Sequence, residues 1–88
     1  MRVDLVLKRL LLVKSRTEGK EACDVGAVRI NGARAKASAE VRPGDLVMIE
    51  YAERTLEVQL LEAIGKNVSR AEAKTLYRVV RDERTRDE

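Results

Sequence analysis

Val3, Val6, Leu7 and Leu10 recur at i, i+3, i+4 and i+7, the spacing of one buried stripe on an α-helix. Leu11 is expected to widen that stripe. Asp4 falls in the first turn, where the helix dipole favours a carboxylate, and it is spaced to pair with Lys8. Ser15-Arg16-Thr17-Glu18 then has the S-x-x-E form of a capping box and predicts a second helix from Ser15. Gly19, Ala22 and Cys23 make a narrow stripe of small residues, which would let the two helices approach closely. Arg16, Lys20 and Asp24 line the other side. Gly26 is a natural stop, because glycine tolerates the left-handed position after a helix.

The period then changes from 3.6 to 2. Val28 and Ile30 alternate with Arg29, and Asn31-Gly32 follows, a two-residue hairpin signal in which both positions favour positive φ. The returning strand is Ala33 to Ala35, with Lys36 just beyond. A two-residue turn sets Ile30 against Ala33 and Arg29 against Arg34. Two arginines directly opposite repel. An anion bound there would explain the pair, and so would side chains splayed into solvent. Arg42-Pro43-Gly44-Asp45 reads as a type II turn. Leu46 to Tyr51, apolar on both faces apart from Glu50, reads as a central strand. Thr55 to Leu61 alternates, with Leu56, Val58 and Leu60 inward.

Ser69-Arg70-Ala71-Glu72 is a second capping box. It predicts a short C-terminal helix with Ala73, Leu76, Tyr77 and Val80 as its buried stripe. From Arg81 to Glu88 every residue but Thr85 is charged, so residues 81–88 are expected to form a disordered tail. The elements predict an α+β fold, with a single domain over residues 1–80. Two helices pack on a small, mostly antiparallel sheet, and a short helix follows.

Composition narrows the chemistry. The chain has 88 residues, 38% of them charged, with two Tyr, no Phe, no Trp and no His. Stacking on exposed rings, the usual device for single-stranded bases, is therefore not expected. The absence of histidine removes the commonest general base and metal ligand. One cysteine makes neither a disulfide nor a thiolate cluster, and Cys23 falls on the small-residue stripe, where burial is expected. With no glycine-rich phosphate loop and no metal-ligand spacing, no catalytic residue, metal or cofactor is expected, and the chain is read as a binding protein. The longest apolar runs are four residues, so no membrane span is expected and a cytoplasmic location is.

Charge is segregated. Residues 1–36 carry a net +5, residues 37–60 a net −3 and residues 61–88 a net +1. A basic face of this kind suits a polyanion.

The basic residues also carry a resemblance. Arg2-Val3-Asp4, Leu7-Lys8, Lys14-x-Arg16-Thr17, Lys20-Glu21-Ala22, the Asn31-Gly32 turn with Lys36, and Val41-x-Pro43-Gly44-Asp45 occur in order over about residues 1 to 51. Together they resemble the S4 RNA-binding motif, also called the alpha-L motif. Read as a free-standing version of that motif, the chain resembles the small heat-shock S4 proteins and, most of all, the bacterial ribosome-associated quality-control P proteins. It departs from the family pattern at Leu5, Val6 and Leu11.

The resemblance implies a non-catalytic RNA binder. Its expected partners are large-subunit rRNA and peptidyl-tRNA on a split, stalled large ribosomal subunit, where it supports tailing of the nascent chain. A tRNA-recruiting quality-control factor is a further expected partner, and the chain is expected to be monomeric off the ribosome. A heat-shock type of ribosome recycling factor, or another S4 binder of structured RNA, is the alternative. The expected RNA-binding residues are Arg2, Lys8, Arg9, Lys14, Arg16, Thr17, Lys20, Arg29, Arg34 and Lys36. Arg16 stands first, because it opens a helix whose amides could engage the same phosphate. Arg2→Ala and Arg16→Ala are expected to weaken RNA binding with little change in thermal melting.

Overall fold

The structure is a computed structural model that describes residues 1–84. Helix α1 (Val3–Arg9) buries the expected stripe, with Val3, Val6, Leu7 and Leu10 no more than 2% exposed. Leu11 does not widen it. Leu11 takes φ 62°, in the left-handed region, and is 51% exposed. The cause is the way the helix ends. Leu12 N donates to Leu7 O at 2.9 Å and Leu11 N to Lys8 O at 2.9 Å. That pair of bonds needs a left-handed residue just past the helix, a position that usually belongs to glycine.

Helix α2 (Arg16–Asp24) starts at the predicted cap. Ser15 Oγ accepts from Glu18 N at 3.1 Å, while Glu18 Oε1 accepts from Lys14 N at 3.0 Å, one residue before the N-cap amide of the ideal box. Its end repeats the left-handed closure with the expected glycine, Gly26 at φ 80°. The small stripe works as predicted. A Cβ at Gly19 would lie 3.0 Å from the Asp4 carbonyl oxygen of α1, so the two helix backbones nearly touch there.

Strands β1 (Val28–Ile30), β2 (Ala33–Arg34), β3 (Leu46–Tyr51) and β4 (Arg54–Leu60) form a sheet with β3 at its centre. Asn31 at φ 51° and Gly32 at φ 85° make the hairpin turn, and the register pairs Arg29 with Arg34 and Ile30 with Ala33. The Asn31 side chain ties this turn to the next one. Its Nδ2 donates to Asp45 Oδ1 at 3.1 Å and its Oδ1 accepts from Leu46 N at 2.9 Å. The inner faces of β1, β3 and β4 set Val28, Val47, Ile49, Leu56, Val58 and Leu60 against α1 and Cys23 in one core. Val3 N and Asp4 N donate to Ala39 O and Ala37 O, which fastens the start of α1 beside the segment after β2.

The C-terminal part differs from expectation. The Ser69 cap forms, with Ser69 Oγ accepting from Glu72 N, but α3 (Arg70–Ala73) is a single turn. Tyr77–Arg84 is a strand, β5, antiparallel to β4, and it completes the sheet order β2-β1-β3-β4-β5. Residues 81–84, expected in a disordered tail, thus belong to the sheet. The rest of that segment lies outside the described residues. A β-bulge sits where Glu57 pairs with Arg81 and Val58 with Val79, so Val80 is the extra residue. The helical spacing of Leu76, Tyr77 and Val80 loses here to an unfilled sheet edge and β-branched Val79-Val80.

Candidate nucleic-acid interface

Asp4 is the centre of the basic face. It is 2% exposed, and its Oδ2 accepts from Arg2 Nη2 at 3.2 Å and from Arg16 Nε at 3.4 Å, while its Oδ1 accepts from Leu5 N at 2.8 Å. The expected pair with Lys8 is not among the ion pairs of the described residues. The helix spacing explains this: Asp4 lies between Val3 and Leu7, on the buried side of α1, whereas Lys8 is exposed. One buried carboxylate therefore draws together a guanidinium preceding α1 and another at the start of α2. Both side chains remain about half exposed, at 44% and 49%, and so stay accessible to solvent while bonded to Asp4.

Two adjoining clefts extend from this triad. The first, of about 260 Å³, is bounded by Arg2, Asp4, Arg16, Thr17 and Lys20. The second, of about 600 Å³, shares Arg2 and Lys20 and adds Asp24, Arg34, Lys36 and Ser38 around the segment after β2. Arg34 reaches across it, with Nη2 donating to Asp24 O at 3.1 Å and its guanidinium lying against Gly26. Cys23 floors the second cleft at 2% exposure. Burial, then the charges of Asp4 and Asp24, push its thiol pKa up, which disfavours the reactive thiolate.

Six of the ten residues expected from sequence thus converge: Arg2, Arg16, Thr17, Lys20, Arg34 and Lys36. The other four stand elsewhere. Lys8 is exposed on α1 and borders neither cleft. Arg9 is partly buried and donates to Gly65 O at 3.2 Å, tying α1 to the loop before α3. Lys14 faces a separate groove near Tyr51 and Tyr77. Arg29 turns from Arg34 and donates to Gly32 O at 3.3 Å. The facing arginines of the hairpin therefore diverge, each onto a backbone carbonyl. Sequence reasoning passed over Asp4 as an organiser, although its place beside Val3 and one turn before Leu7 was the available signal.

Such an array suits phosphate. Half-exposed guanidiniums held at fixed separation offer forked donors, the positive end of α2 adds to their field, and lysines surround them. A family model for the S4 domain matches residues 1–47, the stretch that builds both helices, the hairpin and the second turn. The chain belongs to the S4 domain family. The chain is 37% identical over 84 residues to the Bacillus subtilis protein named RQC P-site tRNA stabilizing factor, an alignment spanning 96% of each chain. A Helicobacter pylori protein of the same name is 42% identical over 71 residues, covering 80% of this chain and 84% of that one. The structure of Vibrio cholerae heat shock protein 15, solved as a trimer, matches this S4 protein with a TM-score of 0.84 at 25% identity. The match covers 91% of this chain and 81% of that one.

Proposed function

We propose that the chain is a non-catalytic RNA-binding factor of ribosome-associated quality control, which stabilises P-site tRNA on a large ribosomal subunit blocked by peptidyl-tRNA. The observation that carries this is the convergence of Arg2, Arg16 and Lys20 around the buried Asp4, with Arg34 and Lys36 alongside. The near full-length likeness to proteins named as P-site tRNA stabilizing factors supports the identity of the RNA. In this reading the cleft cations take phosphates of large-subunit rRNA and of the tRNA, and read folded RNA by backbone and shape. Holding a tRNA in place favours continued extension of the nascent chain without any bond being made by this protein. It works in the cytoplasm, as a monomer when off the ribosome.

The decisive experiment is sedimentation of lysate on a sucrose gradient, followed by detection of this chain. Co-migration with free large subunits, lost when puromycin releases the nascent chain, is the expected result. Co-migration that persists after puromycin would favour the second reading, a general recycling role, to which the fold likeness to heat shock protein 15 points. Arg16→Ala should abolish either association.

A further inference from the structure

The chain holds two aromatic side chains, Tyr51 and Tyr77, and both line one groove of about 730 Å³ on a different part of the surface from the Asp4 clefts. Tyr51 ends β3 and Tyr77 begins β5. Three cations surround them: Lys14 from the junction of α1 and α2, Arg70 from α3, and Lys74, which caps the end of α3. None of the three is in an ion pair among the described residues. Among the described residues the one carboxylate lining the groove, Glu18, accepts from Lys14 N. Leu11 also lines the groove, half exposed and held at φ 62° by the closure of α1. Tyr51 is fixed by its hydroxyl, which donates to Leu12 O.

We propose that this groove is a second RNA contact that takes an unpaired nucleotide. The base lies against Leu11, Tyr51 and Tyr77, and the flanking phosphates meet Lys14, Arg70 and Lys74. The pairing of ring surface with a cationic rim is how unpaired nucleic acid is held without base-edge readout. The volume is within the range of small-ligand sites. Lys14 stands two residues before Arg16, so the groove and the Asp4 clefts draw cations from either side of the Ser15 cap. The inference rests on the RNA-binding reading only in taking RNA as the ligand.

The chain lacks tryptophan, so its tyrosine emission reports on this groove alone. A short oligoadenylate added to the full chain should quench that emission saturably. Tyr77→Leu should weaken the interaction by about tenfold. Lys74→Glu, at an exposed position, should weaken it likewise with an unchanged melting temperature. Arg16→Ala should lose ribosome association and keep the quenching. Quenching that persists when ribosome association proves absent would sink the P-site reading and leave this site standing. Ribosome association with no oligoadenylate quenching would do the reverse. Inorganic polyphosphate that competes as tightly as oligoadenylate would show that the base plays no part and overturn the proposal. So would a glutamate–leucine copolymer that perturbs the tyrosines where oligoadenylate does not, since the occupant would then be an acidic protein segment.

Discussion

Arg16 reaches from the second helix to Asp4 on the first, where its Nε lies 3.4 Å from the carboxylate oxygen that also accepts from Arg2. Under the proposed RNA-binding role, the contact joins stability to recognition. Asp4 is enclosed by α1, α2 and the segment after β2, and its charge is balanced by side chains whose outer halves stay available to a ligand. Alanine at Arg2 or Arg16 would therefore do more than remove a proposed phosphate contact. Each single substitution should cost about 1 kcal/mol of stability, and the double substitution about 3 kcal/mol, because a buried carboxylate would then lose both guanidiniums. This replaces the expectation from sequence that melting would hardly change.

Asp4→Asn separates the two roles. It keeps the shape, removes the charge and leaves both arginines in place. Stability should fall by about 1–3 kcal/mol in urea titrations. RNA affinity should fall as well, although the net positive charge of the face has risen. Affinity that rises with the added positive charge would mean that Asp4 does not orient the pair.

Five cations gather at the two clefts: Arg2, Arg16, Lys20, Arg34 and Lys36. If each meets a phosphate, affinity should drop by about two to three orders of magnitude between 50 and 200 mM salt. Lys20→Ala should reduce the slope of log affinity against log salt by about one. Lys8→Ala and Arg9→Ala should leave that slope alone, because neither side chain borders the clefts. Filter binding or fluorescence anisotropy across a salt series measures this directly. Equal slope changes at Lys8 and Lys20 would spread the interface along α1.

The elements whose ends carry their own chemistry were legible in the sequence. The Ser15 cap, the Asn31-Gly32 turn with its register, and the Pro43-Gly44 turn all appear where they were expected. Leu11 was not legible, because nothing in a leucine announces a left-handed residue; the closure of α1 imposes it. Tyr77–Arg84 was misread for a related reason. A spacing of i, i+3 and i+4 fits a helix, but the open edge of β4 offered a ladder of backbone bonds that a short helix could not match. At the site, residue types showed where the positive charge lay. The division between cleft residues and the outlying Lys8, Arg9, Lys14 and Arg29 depends on tertiary contacts such as Arg9 with Gly65, 56 residues apart.

Asp45 gives a pH signature. The Arg42 backbone N–H first, and then the Asn31 side chain, hold its carboxyl below the ordinary aspartate range. A lowered folded-state pKa adds stability that is present above the unfolded pKa of about 3.9 and disappears as pH falls through the folded value. Asp45→Asn should therefore be less stable than the parent at neutral pH. The two should converge as the solution is acidified below about pH 4. Chemical denaturation at a series of pH values tests this. A stability gap independent of pH would assign the loss to the shape of the turn instead of its charge.

Gly19 tests how closely the two helices must approach for the arginines to meet. Alanine in a helix interior gains about 1 kcal/mol over glycine. Here its Cβ would sit 3.0 Å from Asp4 O and 3.5 Å from both Asp4 Cα and Val13 Cγ2. The nearest atom is backbone, so relief requires α1 and α2 to separate. Overpacking of this kind costs about 1–3 kcal/mol. The two effects leave Gly19→Ala destabilised by about 1 kcal/mol, while Gly19→Val, larger and a poorer helix former, should lose more. Binding should respond more than stability, because a helix shift of a few tenths of an ångström acts on the 3.4 Å contact between Arg16 and Asp4. Melting and RNA titration of the two variants, compared with Gly32→Ala in the hairpin turn, provide the check. Gly32 has open space around it but φ 85°, so its substitution strains the turn without moving α2. A Gly19→Ala protein that is more stable than the parent and binds RNA equally well would show that the helices separate freely and that their close approach does not set the site.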